Sequence, residues 1–81
     1  MIQYHIIEIQ RRPDGINNVQ VIETRNSIAT GLSYYYQRCA AMAATQLYVS
    51  VTLILIDSDG LVIENKKLDT AWEPEPEQAD E

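Results

Sequence analysis

The segment IATGLSYYYQRCAAM, residues 28–42, decides how the rest of the chain is read. Its apolar residues Ile28, Leu32, Tyr35, Cys39 and Met42 recur at alternating steps of four and three, one stripe of an α-helix. The spacing predicts a helix from residue 28 to about 45. Asn26 or Ser27 can cap it by offering a side-chain oxygen to the first unpaired amides. No Glu or Gln follows at the position that would complete a capping box, and Gly31 costs about 1 kcal/mol relative to alanine. Three consecutive tyrosines cannot share a face. At about 100° per residue Tyr35 falls in the stripe and Tyr36 at its edge. Tyr34 then points away, beside Gln37, Arg38 and Ala41.

Outside the helix the period changes to two. In residues 2–11 Ile2, Tyr4 and Ile6 share one parity and Ile7 and Ile9 the other, so the alternation slips at Ile6-Ile7 and predicts a bulge or a change of covered face. Pro13-Asp14-Gly15 supplies turn chemistry, and residues 18–25 form a return strand with Val19 and Val21 on one face. Residues 46–57 predict a central strand, with Leu47, Val49, Val51, Leu53 and Leu55 on one side and Tyr48, Ser50, Thr52, Ile54 and Ile56 on the other. Asp57-Ser58-Asp59-Gly60 turns the chain into a last strand over residues 61–68.

The order strand, strand, helix, strand, strand defines the fold class: α+β, a ββαββ domain over residues 1–70 with a four-stranded antiparallel sheet and the helix on one face. If the odd residues of the third strand meet the helix, Tyr48, Ile54 and Ile56 lie on the opposite face, joined by Val62. The helix exterior is also poor in charge, since Arg38 is the one charged residue between Ser27 and Val51. Both surfaces predict an interface. The expected contact residues are Tyr34, Arg38 and Ala41 on the helix and Tyr48, Ile54 and Ile56 on the sheet, and the expected partner is a second copy in a twofold dimer or another protein.

Composition bounds the rest. The chain has 81 residues with 46% hydrophobic and 22% charged, a single globular domain whose core gains from association. One cysteine, Cys39, allows no internal disulfide and predicts a reducing, cytoplasmic setting. No apolar run reaches the length of a membrane span, so no membrane association is expected. The net charge is -6, and Glu73, Glu75, Glu77, Asp80 and Glu81 supply five of those units. The segment 71–81 is therefore expected to be an acidic, Pro/Glu-rich disordered tail that repels polyanions. With only small basic spots at Arg11, Arg12, Arg25 and at Lys66-Lys67, nucleic acid is not an expected partner.

Catalytic chemistry has little to stand on. His5 is the one histidine, and nothing in the sequence brings it to Cys39 as a base and nucleophile pair. One Cys and one His make no zinc spacing. The Asp57-Ser58-Asp59-Gly60 run fails the calcium-loop register, because Leu55 and Lys66 would take its first and twelfth positions. No cofactor, metal site or catalytic residue is expected, and the chain is read as a non-enzyme.

The segments QYHIIEIQR (3–11), GLSYYYQRC (31–39) and VSVTLILIDSDGLVIENKKL (49–68) resemble short uncharacterised proteins encoded by gut bacteria and their phages. The resemblance spans about residues 2–68 and implies a phage or mobile-element setting without assigning an activity. The layout is also similar to some small anti-CRISPR proteins, which bind and block nuclease complexes, an analogy of architecture. Together these imply a steric binder or inhibitor of another protein; a structural homo-oligomer is the alternative.

Overall fold

The computed structural model describes residues 1–74. The acidic tail expected over 71–81 therefore lies, from residue 75 onward, outside the described residues. Four strands and one helix follow one another as β1 (Tyr4–Arg11), β2 (Asn17–Arg25), α1 (Ile28–Ala43), β3 (Ser50–Asp57) and β4 (Val62–Asp69). The strands form one antiparallel sheet in the order β2-β1-β3-β4, with α1 across one face. This is the expected ββαββ arrangement.

Each hairpin is closed by the residues that the sequence marks. Gly15 and Gly60 adopt φ of 90° and 91°, a left-handed conformation that a Cβ would strain. Asp14 Oδ1 accepts from the Ile16 amide at 3.0 Å, and Asp57 Oδ1 accepts from the amides of Asp59 and Leu61 at 2.9 Å each. The carboxylates thus satisfy turn amides that the ladder cannot reach. Ser27 is the helix cap, its Oγ accepting from the Thr30 amide at 3.2 Å.

β1 itself alternates without a break, and its adjacent isoleucines Ile6 and Ile7 face opposite sides of the sheet. Opposite Ile6-Ile7 the neighbouring strand bulges, since Ile6 pairs with Glu23 but Ile7 with Val21, leaving Ile22 as the extra residue of β2. A second irregularity between Leu55 and Ile56 does the same in the other hairpin. Ile6, Tyr35, Val51, Leu53, Leu55 and Leu68 are buried between sheet and helix. Gly31 is buried too, and a Cβ placed there would meet Tyr4 Cβ at 3.4 Å, so the helix lies close on the first strand.

Two expectations are corrected here. The third strand begins at Ser50, not at residue 46, because the preceding loop is drawn aside by other bonds. The Val49 amide donates to the Arg11 carbonyl at 2.7 Å, and the Thr70 hydroxyl takes the carbonyls of Tyr48 and Val49. The alternation therefore fails before Ser50: Leu47 is exposed and Tyr48 packs against the core on the helix side. Secondly, the helix is rolled relative to the expected stripe. Gly31 and Tyr35 are its buried residues, Ile28 is exposed, and the outward ring is Tyr36 at 56% exposure, not Tyr34. The chain also stays attached past residue 70, where the Ala71 amide donates to the Thr45 carbonyl at 3.0 Å.

Candidate interaction surface

The roll of the helix has an electrostatic cause. Along β1 the residues facing the helix are Tyr4, Ile6, Glu8 and Gln10, so alternation places a carboxylate in the core. Glu8 is fully buried and held by Arg38, whose Nε donates to Oε2 at 2.7 Å and whose terminal nitrogen donates to Oε1 at 3.0 Å. Gln10 donates its amide to the same carboxylate. This fork geometry gives a charge-assisted pair with both acceptor oxygens occupied. Burial pushes the Glu8 carboxyl up, but the hydrogen bonds from Arg38 and Gln10 and the Arg38 charge together outweigh it, leaving Glu8 below its ordinary value of 4.5.

A group whose folded value is depressed adds stability above its unfolded value and loses that contribution as pH falls through the folded one. Wild-type protein is therefore expected to lose resistance to urea as pH drops below about 4.5. Glu8→Gln, less stable at neutral pH, should show a flatter dependence over that range. Parallel slopes for the two proteins in urea titrations from neutral pH to pH ~2 would show that Glu8 is not the group responsible.

Arg38 is thus half-buried and turned toward the sheet, instead of part of a free helix face. Tyr34 is half-buried and packs against the core, with the Arg25 guanidinium 5.3 Å from its ring centroid. Of the three expected helix contacts only Ala41 is exposed. The outer helix flank that remains, Ala29, Ser33, Tyr36, Ala40 and Ala41, is small-sided and carries one large ring.

The face of the sheet opposite the helix is different in kind. Register puts its residues in four cross-strand rows. From one end these are Thr24, His5, Ile56 and Val62; then Val21, Ile7, Ile54 and Asn65; then Val19, Ile9, Thr52 and Lys67; and last Asn17, Arg11, Ser50 and Asp69. Ile54 and Ile56 stand where the sequence placed them, and Tyr48 does not. Seven β-branched aliphatic side chains occupy the first three rows, and no described element covers them. Val19, Val21 and Val62 are 66%, 58% and 45% exposed.

Ile7, Ile9, Val19 and Val21 were not among the expected contact residues. Their signal was available, since both pairs hold the parity opposite to the buried side of their strands. The last row is charged, and beside it Trp72, Arg12 and Pro13 help line a shallow cleft of about 370 Å³.

His5 and Cys39 are not brought together. His5 lies on the open face, with Nδ1 2.9 Å from Thr24 Oγ1, whereas Cys39 is on the helix, and the sheet stands between them. Among the described residues no group of three or more His, Cys, Asp and Glu side chains converges as a metal site would require, and no helix is long and apolar enough to cross a membrane. Compared with models of known families, with curated proteins and with solved structures, the chain matches none.

Proposed function

We propose that this chain is a non-enzymatic protein-protein interaction module whose contact surface is the open face of its sheet. One observation carries the reading: Ile7, Ile9, Val19, Val21, Ile54, Ile56 and Val62 form a contiguous aliphatic patch on the sheet face away from the helix, and no element among the described residues lies over it. An antiparallel sheet that keeps one face in water normally makes that face polar, and apolar patches of this extent mark binding surfaces. The rigid four-stranded support favours shape-based contact over chemistry, because the face offers hydrocarbon, hydroxyl and amide groups and few titratable ones.

The helix flank is the competing surface, and its alanines offer little area to a partner. A photo-crosslinking amino acid placed at Ile54, in cells that make the protein naturally, should yield a covalent protein adduct. The same probe at exposed Ala41 should yield little. Adducts at Ala41 with none at Ile54 would overturn the assignment of the surface.

A further inference from the structure

We infer that the occupant of the open face is a second copy of this chain, stacked sheet on sheet about a twofold axis that runs between the layers parallel to the strands. This rests on the reading of that face as a contact surface and names what covers it.

The order of the rows selects the axis. With the axis along the strands, β1 of one copy lies over β3 of the other and β2 over β4, so every row meets its own counterpart. Ile7 then sits over the partner's Ile54 and Ile9 over the partner's Thr52, close to the axis. On the edge strands Val21 lies over the partner's Asn65 and Val19 under the stem of the partner's Lys67, whose ammonium reaches water. Arg11 lies over the partner's Ser50 and is offset from the partner's Asp69 by one strand spacing of about 4.8 Å across a layer gap of about 10 Å, a backbone separation of roughly 11 Å that the long arginine side chain and the carboxylate can bridge. An axis perpendicular to the strands would instead reverse the rows. It would set Val21 on the partner's Val19 and Ile7 on the partner's Ile9, but it would press the short carboxylate of Asp69 onto the partner's Val62 and leave Arg11 over the partner's His5, in a row without a carboxylate to meet it. Aligned sheets in contact cross at about 30°, which preserves the central overlaps and splays the corners at Thr24, Val62, Asn17 and Asp69.

The area also suits a pair. Four strands about 4.8 Å apart and seven residues rising about 3.3 Å each make a face roughly 19 by 23 Å, on the order of 440 Å² of flat area per copy. Two copies give about 900 Å² before side-chain relief is added, close to the ~1,000 Å² that a specific interface needs. A domain this small gains a second layer for its sheet, turning an open α+β unit into a closed helix-sheet-sheet-helix stack.

Sedimentation equilibrium of the full chain at concentrations up to ~100 µM is expected to give twice the 9.2 kDa mass of one chain. Ile54→Glu and the more exposed Val21→Glu should each raise the dissociation constant on the order of 100-fold while leaving the circular dichroism of the fold unchanged. Val21 is at an edge, so its variant keeps the test valid if the central one misfolds.

The axis is tested by charge. Arg11→Asp and Asp69→Arg should each weaken the homodimer, and mixing the two variants should give heterodimers in excess of the statistical ratio by native mass spectrometry. A monomer throughout, or a dimer indifferent to the two glutamate substitutions, overturns self-association through this face; a random mixture of the charge variants overturns the axis. If the protein is monomeric yet the probe at Ile54 captures a different protein, the contact-face reading stands without this one. If neither occurs, both fall.

Discussion

Arg38→Ala is expected to destabilise the fold by about 3 to 5 kcal/mol, the typical cost of stranding one member of a buried ion pair. A domain of this size has a total stability on the order of 4 to 12 kcal/mol, so the variant will sit at the edge of unfolding. The reason lies in the asymmetry of exposure. Glu8 is fully buried while Arg38 is 31% exposed, so losing the arginine leaves a carboxylate without water, whereas losing the glutamate leaves a guanidinium that still reaches solvent. Glu8→Gln should therefore cost less than Arg38→Ala.

Replacing the whole cluster together, as Glu8→Leu and Gln10→Leu with Arg38→Leu, should recover most of the loss, because no charge is left to desolvate and no buried amide is stranded. Urea unfolding of the four proteins measures all three statements. A cost for Arg38→Ala below about 1 kcal/mol would mean that Glu8 finds water or another partner when the arginine is gone.

Tyr35→Ala should be of similar size, about 3 to 5 kcal/mol, through lost transfer energy and the cavity left behind. Tyr35 is 1% exposed and belongs to the core cluster with Ile6, Val51, Leu53, Leu55 and Leu68, with Tyr36 edge-on at 5.4 Å between centroids. Tyr35→Phe should cost well under half as much. The hydroxyl makes only a long bond to the Leu53 carbonyl, at 3.5 Å.

The same burial, with Cys39 and Glu64 nearby, pushes the Tyr35 hydroxyl well above its ordinary value of 10.0. A raised value means full stability below about 10 and a falling one above it, as the unfolded chain ionises first. Thermal melts across that range should show the alkaline loss in wild type and a smaller one in Tyr35→Phe. An equal loss in both would assign it elsewhere.

Much of this fold is written locally. Gly15 and Gly60 stand where turns require positive φ, and the helix keeps its 3.6-residue period. What escaped depends on distant groups. Tyr48 continues the alternation of β3 on paper, but Thr70, 22 residues away, takes its carbonyl and bends the segment out of the ladder. Tyr34 and Tyr36 exchange roles because Glu8, 30 residues from Arg38, draws that arginine inward and rolls the helix with it. A carboxylate on the same parity as Ile6 was the available clue to a buried pair, and the expectation of a free Arg38 passed over it.

The strand order sets how late this chain can become a finished object. The central ladder joins the first strand to the third, bringing Tyr4 against Asp57 across most of the sequence, while each outer strand needs only its hairpin neighbour. Both hairpins can close on their own, but Ile6 and Leu55 stay wet until the two halves dock. Topologies dominated by such distant pairings fold in milliseconds to seconds, slower than helical bundles of equal size. During synthesis the amino-terminal hairpin must therefore wait, sticky on both sides, for its mate to leave the ribosome, and that interval is when a chaperone or a sister chain has access to it.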